Sequence, residues 1–190
     1  MLFRSLDLRQ ILAVNTLYQV PVGKGMKFST GNGALDYILG NWQINNIFQA
    51  HSGSPFSLLD GNDVSNTGSL GFVAYEHLNA VASPAPKPAG KWFNTNAYAA
   101  PAFGTYGTVG RNTLVGPSFW DLDTSLFRQF PVGEGRQFEF RAEAFNLANH
   151  VNLGLPDGTI TDSTVGVISG TAYGNTFLNR QLQIAVKFVF

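Results

Sequence analysis

From Leu178 to the end of the chain the even positions read Leu178, Arg180, Leu182, Ile184, Val186, Phe188 and Phe190. The odd positions read Asn179, Gln181, Gln183, Ala185, Lys187 and Val189. A period of two puts apolar side chains on one face of a strand and polar ones on the other. Arg180 is the exception, near the start of the run, where a long side chain can snorkel to a head-group region. In 40–52, Trp42, Ile44, Phe48 and Ala50 alternate with Asn41, Gln43, Asn45, Gln49 and His51, with breaks at Asn46 and Ile47. In 119–130, Trp120, Leu122, Leu126 and Phe130 alternate with Asp121, Asp123, Ser125 and Gln129. Phe138, Phe140, Ala142 and Ala144 alternate with Gln137, Glu139, Arg141 and Glu143. Less cleanly, Leu12, Val14, Tyr18 and Val20 alternate with Arg9, Asn15 and Gln19. The pattern predicts strands at about 8–20, 40–52, 119–130, 137–148 and 177–190. Each is long enough to cross a bilayer as a tilted strand of about 9–11 residues.

The connections alternate in length. Val20-Pro-Val-Gly-Lys-Gly-Met-Lys-Phe28 and Phe130-Pro-Val-Gly-Glu-Gly-Arg-Gln-Phe138 echo one another. Proline is expected to stop ladder pairing, and the glycines permit positive φ in a tight connection. The second echo predicts a short hairpin turn. The first continues through Ser29–Gly33 and Ala34–Leu39, a longer connection with room for a helical turn. The other connections, 53–118 and 149–175, are long. The first contains Ser83-Pro-Ala-Pro-Lys-Pro88, and the second contains Gly154, Gly158, Gly166, Gly170 and Gly174. Loops of this length without clear strands are usually functional or mobile. Short turns alternating with long loops match the outer-membrane rule of short periplasmic turns and long extracellular loops. With Pro131–Arg136 periplasmic, the last strand runs inward, Phe190 reaches the periplasmic rim and both long loops face outward.

Composition sharpens this picture. Charged residues make up 13% of the 190 residues, twelve acidic and twelve basic, about half the roughly 25% of an ordinary soluble domain. Such a surface suits water poorly. No stretch approaches the roughly 20 apolar residues of a membrane helix, and no secretory signal is visible at the N-terminus. A zero net charge argues against a nucleic-acid partner. With no cysteine, disulfide scaffolds, Cys zinc sites and thiol catalysis are excluded. The reading is therefore an all-β protein: an antiparallel transmembrane β-barrel segment of about five strands with two long extracellular loops. Trp42, Phe48, Trp120, Phe130, Phe138 and Phe140 are expected to face lipid or its interfaces. Asp121, Asp123, Glu139, Arg141 and Glu143 are expected to face the lumen. A soluble secreted or periplasmic β-sandwich used for adhesion or carbohydrate binding is the alternative, but its wet face would carry more Lys, Glu and Thr.

Candidate chemistry is sparse. His51, His77 and His150 sit in no metal-binding spacing. Asp60-Gly-Asn-Asp63 lacks the spacing and terminal Glu of an EF-hand and reads as an Asx-rich turn. Gly23-Lys-Gly25 is no phosphate loop, and Ser54 has no identifiable acid–base partners. Glu139, Arg141 and Glu143 share one face and are expected to form a ladder with Asp121 or Asp123 on the neighbouring strand. No catalytic, metal or cofactor site is expected, and ligand-binding residues are left unassigned.

These residues resemble the C-terminal end of a TonB-dependent outer-membrane receptor of the Oar-like kind, in which a carboxypeptidase-regulatory-like domain often precedes plug and barrel. The stretches that carry the resemblance are Gly40-Asn-Trp-Gln-Ile44 and Gln49-Ala-His-Ser-Gly-Ser-Pro-Phe56, then Trp92-Phe-Asn94 and Gly110-Arg-Asn112. Gly116-Pro-Ser-Phe-Trp-Asp-Leu-Asp123 and Phe140-Arg-Ala-Glu-Ala-Phe-Asn-Leu-Ala-Asn-His150 complete the set. The terminal Val186-Lys-Phe-Val-Phe190 resembles the signal read by the barrel-assembly machinery, which marks Val186, Phe188 and Phe190. The resemblance implies residence in a Gram-negative-type outer membrane, contact with its lipid, import of a small-molecule or oligomeric substrate, and energy from the TonB system through parts outside this chain. The family's barrel has about 22 strands around a plug. Five strands cannot enclose a plug, and no plug, TonB box, regulatory domain or signal peptide is visible. The chain is therefore expected to be a fragment of a longer protein or a truncated reading frame.

Overall fold

The computed structural model describes residues 8–29, 31–66, 79–80, 87–172 and 179–190. His77, Gly174, Leu178 and the Ser83–Pro86 part of the proline-rich stretch lie outside these. Along the chain run β1 (Ile11–Gln19), α1 (Gly33–Leu39), β2 (Gln43–His51), β3 (Pro55–Phe56) and β4 (Asn79–Ala80). A 3-10 turn (Thr95–Ala97), β5 (Tyr98–Ala99), β6 (Leu114–Val115), β7 (Phe119–Gly133), β8 (Arg136–Phe145) and β9 (Gln181–Val189) follow. These elements fall into two compact units. A sheet unit comprises Leu12–Ala50, Trp120–Val151 and Phe177–Phe190; a loop unit comprises Met1–Ile11, His51–Phe119 and Asn152–Thr176.

In the sheet unit five strands are hydrogen-bonded in the order β1-β2-β7-β8-β9, and among the described residues β1 and β9 are its outer strands. The β7–β8 and β8–β9 ladders are antiparallel. Ladder partners share a face. The registers Phe130↔Phe138, Leu126↔Ala142, Phe138↔Phe188 and Ala142↔Ile184 therefore gather the even-numbered residues of three strands on one side. Asn46 extends that side across two more strands. Its Nδ2 donates to Thr16 Oγ1 at 3.1 Å, and its Oδ1 accepts from Thr124 Oγ1 at 2.8 Å. The break that Asn46 makes in the alternation is thus satisfied laterally, within the face. Asn45 donates to Ser125 at 3.4 Å and ties the odd-numbered side together.

Two expectations about β7 are corrected. Pro131 does not stop pairing. It remains in the ladder opposite Gln137, the register shifts between Pro131 and Gly133, and the turn is Glu134-Gly135. Proline lacks only its own N–H, so pairing persists wherever that donor is not required. Its carbonyl accepts from Tyr37 Oη at 2.7 Å. Nor do Asp121 and Asp123 face the β8 charges. The turn position fixes the register so that Glu139, Arg141 and Glu143 lie opposite Gln129, Phe127 and Ser125.

The connection between β1 and β2 forms α1. Asn32 caps it, its side chain accepting from Ala34 N and Leu35 N at 3.0 and 3.4 Å. Gly23 and Gly40 pass so closely that a Cβ on Gly40 would lie 2.7 Å from the Gly23 Cα. The two echoed segments thus lead to different closures of the sheet, the second making a two-residue turn and the first a bridge between Val22 and Phe28 followed by the capped helix.

The loop unit replaces the expected structureless loops with a small fold. Phe56, Leu58, Phe93 and Val109 form its core, with Tyr98, Leu114, Ile160 and Val165 packed against them. The short pairings β3–β6 and β4–β5 fold the 53–118 segment on itself, the bridge Leu153↔Thr171 folds the 149–175 segment, and the bridge Leu59↔Thr159 joins the two.

Candidate functional site

On the even-numbered face of the sheet unit, aromatic side chains collect at both strand ends. At the end carrying the hairpin turn, Trp42 meets Phe130 and Phe140 edge-on, with centroids 6.2 and 5.8 Å apart. Phe138 packs on Phe188 at 4.9 Å, and Phe188 stacks on Phe190 at 5.9 Å. At the other end Phe48 lies 6.3 Å from Trp120, which stacks on His150 at 4.3 Å. Between the two bands the face carries Val14, Ile44, Leu126, Ala142, Ile184 and Val186. All six aromatics assigned to this face from the sequence, with Val186, Phe188 and Phe190, belong to these bands or the strip between them.

The odd-numbered face is polar. Arg141 pairs with Glu143 on its own strand at 3.7 Å and lies over the Phe127 ring at 5.6 Å. Glu139 accepts from Gln129 Nε2 at 3.2 Å and sits opposite Lys187 in the β8–β9 ladder. Asp123 accepts from the Asn146 N–H at 2.9 Å. Asp121 and Asp123 line a recess of about 180 Å³ with Asn146, Asn179 and Gln181. The five charged residues expected on one face do share it, but as two groups: an aspartate recess at one end and a Glu–Arg–Glu row on β8. Arg180 lies just before β9. Its backbone N–H donates to Asn149 Oδ1 at 3.0 Å, and its guanidinium reaches the Leu147 carbonyl at 3.5 Å.

Arg128 is the residue that sequence reasoning missed. Its even number sets it on the apolar face, yet it is only 2% exposed. The guanidinium donates to the carbonyls of Tyr37 and Ile38 at the end of α1. It lies 4.2 Å from the Phe130 ring centroid, 5.4 Å from that of Trp42 and 5.9 Å from that of Tyr37. Trp42 Nε1 also donates to the Ile38 carbonyl at 3.2 Å. A cation placed among the last carbonyls of a helix and over aromatic faces is stabilised by both. The signal available in the sequence was the parity of Arg128 within an otherwise apolar set.

The loop unit brings together stretches far apart in the chain. Pro55 and Phe56 pair with Val115 and Leu114. Gly116 N donates to Ser54 O at 2.9 Å, and a side chain on Gly53 would collide with the Gly116 carbonyl. Trp92 Nε1 donates to Val115 O at 2.8 Å, while Phe93 packs on Phe56 at 5.9 Å. Asn112, with φ of +52°, donates its N–H to Ser57 Oγ at 2.8 Å. A cavity of about 320 Å³ is lined by His51, Ser54, Phe119, Leu153, Leu155 and Thr171. His51 stacks flat on Phe119 at 5.0 Å, and its Nδ1 donates to the Ser52 carbonyl at 2.8 Å. These residues offer hydroxyl and imidazole groups against apolar walls and no carboxylate or ammonium, a lining suited to a small neutral molecule.

Asp157 anchors the second long segment. Burial works against its charge. However, bonds from Thr164 Oγ1 at 2.7 Å and Thr159 N at 2.9 Å, with Lys91 nearby, hold its carboxyl below the usual carboxylate value.

A sheet with one apolar face banded by aromatics at both ends and one charged face defines a wall of the membrane β-barrel class. The outer membrane beta barrel domain family model matches residues 4–183, and the chain belongs to that family. It is an outer-membrane protein. Val186, Phe188 and Phe190 lie beyond the matched residues. No curated protein and no solved structure matches the chain.

Proposed function

We propose that this chain supplies wall and outer loops to a TonB-dependent outer-membrane transporter or receptor of the Oar-like kind that it resembles. The observation that carries the reading is the convergence of the resembling stretches. Phe56, Phe93, Asn112 and Gly116 come from four of them and meet in one folded unit, as expected if those motifs exist to build it. The sheet supports the same reading. Among the described residues nothing pairs with the outer edges of β1 and β9, and an unpaired edge in lipid leaves backbone groups unsatisfied at several kcal/mol each. Such edges call for further strands, as in a large barrel.

In this reading the even-numbered face meets lipid and the odd-numbered face lines the lumen. The 53–118 and 149–175 segments face outward for substrate capture, and the cavity beside His51 and Thr171 is the candidate contact point. Val186, Phe188 and Phe190 are read by the barrel-assembly machinery, and TonB acts through parts outside this chain. The chain itself carries no catalysis. An arginine on the lipid face costs about 2–4 kcal/mol at the bilayer midplane and about 0–1 near the interfaces. The placement of Arg128 beside the aromatic band fits the cheaper position.

The test is genetic. Cells with and without the protein, in backgrounds with and without TonB, are compared for uptake of iron chelates, sugars, peptides and vitamins. The proposal expects one class of compound to depend on both genes. If no class does, or if uptake survives loss of TonB, the transporter reading fails. Removal of Phe190 is expected to lower the amount of assembled protein in the outer membrane; unchanged assembly contradicts its role as a signal.

A further inference from the structure

The outward surface of α1 is apolar although the helix belongs to a connection. Its sequence, Gly-Ala-Leu-Asp-Tyr-Ile-Leu, contains one charged residue, Asp36. That residue is 6% exposed and accepts from Ser29 Oγ at 2.6 Å. What remains outward is Leu35, Ile38 and Leu39, which are 46%, 57% and 48% exposed. A helix serving only as a linker in water would show polar residues there. The helix is also fixed in place. Arg128 grips its last carbonyls, Tyr37 Oη donates to Pro131 O, and Tyr37 and Trp42 pack around Phe130. The helix with its apolar surface is therefore held directly beside the aromatic band of Trp42 and Phe130.

We propose that α1 is an interfacial lipid-binding element. Leu35, Ile38 and Leu39 lie among phospholipid acyl chains at the head-group boundary, and Arg128 clasps the helix to the wall. The inference rests on the reading of the even-numbered face as the lipid face. Continuity with that face selects lipid as the occupant, because the same bilayer that covers Phe130 and Phe140 extends over the helix beside them. The clasp also explains a charged residue on an apolar face. Arg128 satisfies the Tyr37 carbonyl and shares that of Ile38 with Trp42 Nε1, and the helix in turn shields the guanidinium from lipid.

The chain has no cysteine, so L35C and I184C each accept a single environment-sensitive fluorophore. The full protein in phospholipid vesicles is probed with lipids bearing nitroxides at shallow or deep positions and with aqueous iodide. The label at 184 should be quenched most by the deep nitroxide, and the label at 35 most by the shallow one and little by iodide. If 184 is quenched by lipid but 35 only by iodide, α1 lies in water. The inference then fails while the wall reading stands. If neither label is quenched by lipid, both fail. If 35 is shielded from lipid and iodide alike, or L35C chains form disulfide-linked pairs, protein covers the helix and the inference fails.

Arg128→Gln should move the label at 35 from lipid quenching toward iodide quenching while the label at 184 keeps its lipid quenching. Arg128→Lys keeps the charge without the two-pronged grip and should fall between. If R128Q leaves the quenching at 35 unchanged while 184 reports an intact wall, Arg128 is not the clasp.

Discussion

In the loop unit Phe56, Leu58, Phe93 and Val109 are 7%, 3%, 7% and 8% exposed, whereas in the sheet unit Leu182 and Ile184 are 73% and 72% exposed. One unit gathers these four side chains into a core, as a protein in water must, although Phe103 and Tyr106 stay exposed. Among the described residues the other has no such core and leaves the apolar side chains of its outer strand β9 exposed. The sheet gathers Glu139, Arg141 and Glu143 on the face opposite its apolar one, while the loop unit leaves Thr164 exposed and buries Asp60 and Asn152. Charge content does not separate the two units, for the sheet carries both aspartates and the Glu–Arg–Glu row. What separates them is where the apolar side chains go, and the apolar face of the sheet calls for a nonaqueous neighbour.

Breaking the loop core should have the largest effect and leave the sheet intact. Phe93 touches both Phe56 and Tyr98. Phe93→Ala is expected to cost about 3–5 kcal/mol. Limited proteolysis should then open the 87–118 stretch while the folded sheet keeps its protease resistance. Concerted loss of both units would contradict their independence.

Next in size is a charge placed on either side of β9. Ile184→Arg on the apolar face should cost about 2–4 kcal/mol of folding into vesicles, and Ala185→Arg on the other face close to nothing. Urea-driven release from vesicles measures both, and equal effects would erase the difference between the faces.

A smaller change follows from the lateral bonds of Asn46. Asn46→Val removes its bonds to Thr16 and Thr124 and should cost about 1 kcal/mol in the same assay, since the hydroxyls left behind lose partners and not charge.

The smallest effect is on acid sensitivity in the loop unit. Asp157 has its pKa held down, so its contribution is complete above the ordinary carboxylate value and is lost as pH falls through the depressed one. Thr164→Ala removes one of the bonds that hold it down. The acid midpoint of loop-unit unfolding should move upward toward the ordinary value, with the loss of stability fullest above that value and vanishing in strong acid, where the carboxyl is protonated in both proteins.

The strands were legible because their signal is local. Alternation from Gln181 to Val189 needs no knowledge of the rest of the chain, and the Glu134-Gly135 turn is marked by its own glycine. The loop core was not legible, because Phe56, Phe93 and Val109 follow no period and meet across long stretches of chain. The motif stretches carried information about that core that could be recognised in order but not assembled in space. Asp121 and Asp123 were set on the correct face and given the wrong neighbours, because parity fixes the face while the turn position fixes the register. Arg128 was passed over for a related reason. A period judged by its majority treats one contrary residue as noise, and here that residue grips the helix.

The two faces of the sheet meet opposite environments if it is a barrel wall. Single cysteines placed in turn at 181 to 189 in the full protein, assembled in membranes and treated with a water-soluble, membrane-impermeant thiol reagent, test it most directly. Protection is expected at 182, 184, 186 and 188 and labelling at 181, 183, 185 and 187. Uniform labelling along the strand, or protection at the odd positions, would contradict it.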